Sequence, residues 1–141
     1  MTVRDDIDDG IEAALLTVPG PRGVDFDPPG EPDTFPDLAV FRGNDSEIER
    51  EANLSRREGL FTVEGSVQNT GRAARQDLTA LHAATVAAMM VDQTLGDVVE
   101  MIDPGDCRWM PRTLADVPIL TFAQDFTIQF VTLRDNPALP A

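Results

Sequence analysis

The stretch VPILTFAQDFTIQFVTLRDNP, from Val117 to Pro137, carries a regular alternation over its middle. Phe122, Phe126, Ile128 and Phe130 share one parity, whereas Thr121, Asp125, Thr127 and Gln129 share the other. Only an extended chain sends alternate side chains to opposite sides, so the period of two predicts a strand with one apolar face. Its β-branched and aromatic residues suit a pleated surface, and Gln124 alone interrupts the apolar set. The adjacent bulky residues Phe130 and Val131 predict a bulge, or burial on both faces, near the strand's end. Such a strand is expected to be the spine of a sheet.

The rest of the chain supplies partners for that spine. Ile7, Ile11, Ala14, Leu15 and Val18 recur at helical spacing behind a run of aspartates, which suit the positive end of a helix dipole. Gly10 weakens this helix, and Pro19-Gly20-Pro21 ends it. An extended Pro- and Gly-rich loop to Pro36 follows, with room for a short edge strand at Val24–Phe26. Asp37 to Gly43 and Leu60 to Gln68 read as an antiparallel pair of strands. Their charged connection, Asn44 to Glu58, predicts a loop that is mobile in a lone subunit and ordered on assembly. After Thr70, a predicted N-cap, Ala74, Leu78, Leu81, Thr85, Ala88 and Met89 trace one face of a long helix. Ala83, Val86, Ala87 and Met90 widen that face, so the helix either lies deep under the sheet or meets another subunit. A short helical segment is predicted over Asp97 to Ile102, before a Pro104-Gly105 turn and a strand from Asp106. The order helix, strand, strand, helix, strand, strand predicts one α+β domain over 1–141, with helices on a largely antiparallel sheet.

Counting residues removes most chemistry. A formal charge of −14, with 11 arginines and no lysine, argues against a nucleic-acid-binding surface as the main purpose. The single cysteine, Cys107, permits neither an intrachain disulfide nor a site built on several thiolates, and fits synthesis in a reducing compartment. No apolar run is long enough to cross a bilayer, and the first residues do not read as a signal peptide. His82, the one histidine, lies just off the helix stripe and reads as a helix-surface or subunit-contact residue, since no general-base partner accompanies it. The aspartates at positions 5, 6, 8 and 9 fail as a calcium loop: with Gly10 at the central glycine, Ile7 and Leu16 fall where ligands belong. The chain has no G-x-S-x-G elbow, and Gly20 to Gly23 lacks the lysine of a phosphate-binding loop. Cys107, Trp109 and Met110 read as packing. No catalytic or metal-binding residue and no cofactor is therefore expected.

The element order, together with the strand pair PDLAVFRG and EGLFTVEGSVQNTG, the long helix leading into TLGDVVEMID, the strand CRWMPR and the terminal strand ADVPILTFAQDFTIQFVTLRDNP, resembles the tail terminator proteins of long-tailed bacteriophages, the minor tail protein U type. The resemblance spans Asp6 to Pro137 but leaves out the Pro-rich segment Pro19 to Pro36 and the acidic N-terminal run. It implies a structural virion protein with no catalytic residues. Such a protein forms a ring, usually a hexamer, that caps the tail tube, ends its polymerisation and joins it to the head and neck. The implied partners are further copies of the chain, the tube protein and a neck or head-completion protein; DNA passes through the lumen without specific binding, and no membrane is involved. The implied location is the virion tail, assembled in the host cytoplasm. Ile48, Leu54, Arg56, Arg57, Val86 and Met90 are the expected interface residues. Three rival readings remain: a neck or head-completion ring, a small acidic metal-dependent enzyme, and a monomeric adaptor that binds a peptide at a sheet edge.

Overall fold

In the computed structural model, which describes residues 2–114 and 116–140, two helices lie on one face of a five-stranded sheet. The helices are α1 (Val3–Leu15) and α2 (Arg72–Val91). The strands are β1 (Val24–Phe26), β2 (Asp37–Glu51), β3 (Leu54–Gln68), β4 (Met101–Leu114) and β5 (Val117–Leu133), in the spatial order β1-β2-β3-β5-β4. The fold is α+β. The short β1 runs parallel to β2, which makes the sheet mixed, and every other pairing is antiparallel.

The strand with the regular alternation, β5, is the inner spine. It pairs with β3 from Leu54 opposite Leu133 to Gln68 opposite Ile119 with no break in register. The expected bulge at Phe130 and Val131 is therefore absent. Phe130 and Thr132 continue the buried parity while Val131 points to the other face. The irregularity lies instead in β4, where the register shifts between Pro104 and Cys107. On the helix-covered face Phe61 stacks on Phe126, with ring centroids 5.1 Å apart. Phe122 lies opposite Gly65, and its ring fills the space a side chain there would need, since an added Cβ would stand 2.1 Å from a ring carbon.

Both helices cover this layer with the residues their periodicity selects. Val3, Ile7, Ile11 and Leu15 of α1 are buried, as are Ala74, Leu78, Leu81, Thr85 and Met89 of α2. The start of α1 is a capping box: the Thr2 hydroxyl accepts from Asp5 N–H, while the Asp5 carboxylate accepts from Thr2 N–H. The N-cap of α2 is Gly71 rather than Thr70. Its φ of 119° is open to glycine and strained for threonine, and no side chain caps the helix.

Two further expectations fail for identifiable reasons. Asn44 to Glu58 is not a loop: β2 and β3 run through it as the arms of one long hairpin, turning only at Ala52 and Asn53. Asp97 to Ile102 is not a helix. Gly96 and Asp97 adopt positive φ angles, and β4 begins at Met101, its approach held by Glu100 N–H donating to Gln129 C=O at 2.7 Å.

Gly65→Ala forces the Phe122 ring out of its place and is expected to cost about 1–3 kcal/mol in a urea titration. Phe122→Leu in the same chain should recover part of that loss. Phe126→Ala is expected to cost about 3–5 kcal/mol, well above Asp125→Ala, which removes contacts on the partly exposed face.

Candidate functional site

Polar and charged residues concentrate on the hairpin, at the β4 edge and beneath the Pro-rich segment. On the hairpin the alternation of charged side chains resolves into ion pairs. Arg57 Nε donates to Asp45 at 2.6 Å, and Arg4 of α1 reaches the same carboxylate at 2.9 Å with its guanidinium over the Phe130 ring. Burial raises the Asp45 pKa, but its hydrogen bonds from Arg57 and Arg4 outweigh this and hold it below the usual carboxylate range. On the opposite face Arg56 bridges Glu49 and Glu100, each at 2.7 Å. A charged, apolar-poor segment is thereby fixed as strand: β3 is laddered on both sides, and the tip is tied by Arg134 N–H donating to Asn53 C=O.

These contacts also show where the predicted interface residues lie. Arg56 and Arg57 are neighbours in sequence on opposite faces of β3, and each is engaged within the subunit. Leu54 is half-buried opposite Leu133. Val86 and Met90 are half-buried on α2. Ile48 is different. The β2–β3 register shifts between Glu47 and Glu49, which leaves Ile48 as the extra residue of a bulge with 47% of its surface exposed.

The second concentration joins α2 to the sheet. His82 stands edge-on to both Trp109 and Phe122, and its Nε2 lies 2.8 Å from Gln124 Oε1. The buried Gln124 amide nitrogen donates to Gly105 C=O and Asp125 C=O, each at 2.9 Å. A single amide thus ties helix, spine and the β4 irregularity together, and explains the one polar interruption in the apolar parity of β5. Beside it Arg75, Leu78, Thr79, His82, Trp109 and Pro111 border a groove of about 420 Å³ between α2 and β4. On the far face Asp125 accepts from Arg108 and from Thr62, and the Arg108 hydrogen bond is the main cause of its lowered pKa.

The third concentration is an acidic groove of about 500 Å³ beneath the Pro-rich segment. The segment is tied to β4 by Arg112 and Glu31 at 3.2 Å. Burial, followed by the charges of Asp25, Asp33 and Glu64, pushes the Asp37 carboxyl up to about 6. Among the described residues no group of three or more His, Cys, Asp or Glu is placed to hold a metal ion, and no helix is long and apolar enough to cross a membrane.

No family model and no curated protein matches the chain. Among solved structures, one chain whose function is not stated is 18% identical with a TM-score of 0.42, the match covering 90% of this chain and 96% of that one. Another, from the virion of a native gene transfer agent (GTA) particle, is 14% identical with a TM-score of 0.34, covering 91% and 92%. Likenesses this distant carry no functional argument by themselves.

The Asp37 carboxyl gives a signed pH dependence. Its folded pKa of about 6 lies above the ordinary 3.8, so the folded state binds the proton more tightly than the unfolded chain. The resulting destabilisation is absent below the lower value, grows as pH rises between the two, and is complete above the higher. Asp37→Asn is expected to raise the melting temperature at about pH 8 and to lose that advantage at about pH 4. An equal gain at both pH values would show that the charge is not its source.

Proposed function

We propose that this protein is a structural virion component of the tail-terminator kind, acting by assembly and not by catalysis. The observation that carries this reading is the pair of unlike open edges on one sheet. Among the described residues, β2 has no strand neighbour on its outer side beyond its short pairing with β1, and β4 has none on its own. The first edge is charged and bulged; the second carries Pro104, Pro111 and the exposed Trp109. Two different patches on one subunit suit head-to-tail association, which closes into a ring when the rotation between copies permits.

In this reading Ile48 and Leu54 of the hairpin, with Val86 and Met90 of α2, contribute to contacts between copies. Arg56 and Arg57 shape the hairpin that makes those contacts, because their charges are already matched within the subunit. The ring, a hexamer by resemblance to tail terminators, caps the tail tube, stops its growth and meets the neck. A chain of formal charge −14 can line the lumen without retaining DNA. The sequence barely separates a terminator from a neck ring, whereas incubation with purified tail tubes does.

Native mass spectrometry with negative-stain imaging is expected to show closed homo-oligomers at high concentration or on tube ends. Protein that stays monomeric at high concentration and leaves tube ends bare would overturn the assignment. Rings that ignore tubes but bind portal complexes would point to the neck.

A further inference from the structure

We propose that the bulged tip of the β2–β3 hairpin docks into the groove between α2 and β4 of a second copy, with Ile48 as the apolar anchor and Glu51 and Arg75 as the charge pair. This names the contact within the ring proposed above and rests on that reading.

Features at the two ends of the sheet are complementary. At the tip, the bulge removes Ile48 from the ladder and presents it among Glu47, Glu49 and Glu51. Glu47 and Glu49 are paired with Arg50 and Arg56, while Glu51 has no ion-pair partner among the described residues. The groove is largely apolar, and Trp109 on its border is 49% exposed. Its one charged lining residue is Arg75. Neither Arg75 nor Arg72, one turn earlier on α2, has an ion-pair partner among the described residues. Both stand in the first turn of a helix, where the dipole adds positive potential and no acidic side chain occurs; Asp77, in the second turn, borders a different groove. In a chain with a large excess of carboxylates, an unmatched positive rim around an apolar floor selects an apolar side chain flanked by acids. The tip of this same chain presents one.

The two surfaces cannot meet within one subunit. Arg56, beside the bulge, lies opposite Val131 on β5, whereas Trp109 lies opposite Phe122. That is about nine residues of extended strand, or roughly 30 Å. The contact is therefore between copies, and its two halves are different, so each subunit gives a tip to one neighbour and a groove to the other. Burial of Ile48 against Trp109 and Leu78 supplies apolar area, while pairing of Glu51 with Arg75 sets which patches meet.

Two single-cysteine proteins test the geometry, both carrying Cys107→Ser: one with Ile48→Cys, the other with Thr79→Cys. Mild oxidation of the mixture is expected to give a disulfide-linked pair joining the two variants, and neither variant alone should cross-link. Linkage of Ile48→Cys to itself, or no linkage in a mixture that forms rings, would overturn the docking while leaving the ring reading intact. Monomers with no linkage that also leave tube ends bare would overturn both. Linkage in open chains or dimers would support the docking and overturn the closed ring. Because positions 48, 51 and 75 are exposed, substitutions there should leave the fold unchanged by circular dichroism. Ile48→Glu and Arg75→Glu are each expected to weaken association about tenfold or more, and Arg75→Glu combined with Glu51→Arg to restore much of it. Association unchanged by Ile48→Glu would also overturn the docking.

Discussion

The fit of the Phe122 ring over Gly65, with Phe126 stacked on Phe61 two buried positions further along, sets the register of β3 against β5. Everything else is placed by that register. A slip of one residue would send the whole aromatic row to the partly exposed face and bring Thr121, Asp125, Thr127 and Gln129 under the helices. It would also separate Thr62 from Asp125, and Ser66 from Thr121. Apolar burial thus determines the geometry, and the polar contacts read it out with bonds that form only when the register is right.

The parts of the fold legible in the sequence are those where one face is buried and the other is not. The period of β5, the stripe of α2 and the buried row of α1 follow from that contrast, as does the short strand at Val24–Phe26 between turn signals. The hairpin was hidden because its alternation is written in charges. Asp45, Glu49, Arg56 and Arg57 look like loop residues until their partners across the strands are known, and these include Arg4 and Glu100, far away in sequence. The start of β4 was hidden by a competing signal. Val98, Val99 and Ile102 satisfy helical spacing, and nothing local announces that Leu95 and Asp97 take positive φ angles. Of the proposed interface residues, Ile48 stands out in the sequence as an apolar residue in a charged setting. The groove around Trp109 was not, because it depends on α2 lying beside β4. Its one available sign was Gln124, since an amide in an apolar row requires buried partners.

Electrostatics in this protein divides into satisfied and unsatisfied charge. Among the described residues seven arginines make ion pairs within the subunit, most of them joining segments far apart in the chain. Arg42 links β2 to α1 through Asp8, and Arg112 draws the Pro-rich segment onto the sheet through Glu31. Exposed pairs such as these add little stability singly, but they select one arrangement among several of similar apolar burial. The carboxylates left over give the surface its negative field. Copies of the subunit therefore repel at long range, and the association proposed above would be confined to the few places where positive charge remains uncovered.

The strand order has a kinetic consequence. β3 cannot meet β5 until the chain between them, holding α2 and β4, has been brought round, so the most extensive pairing in the molecule is also among the most distant in sequence. Loop closure must be met before that pairing rewards it, which places this topology among slow, cooperative folders. The hairpin can form early from local contacts, yet its β3 edge stays bare until β5 arrives. Folding speed, and exposure to mispairing with other chains in the interval, is thus governed by one late event.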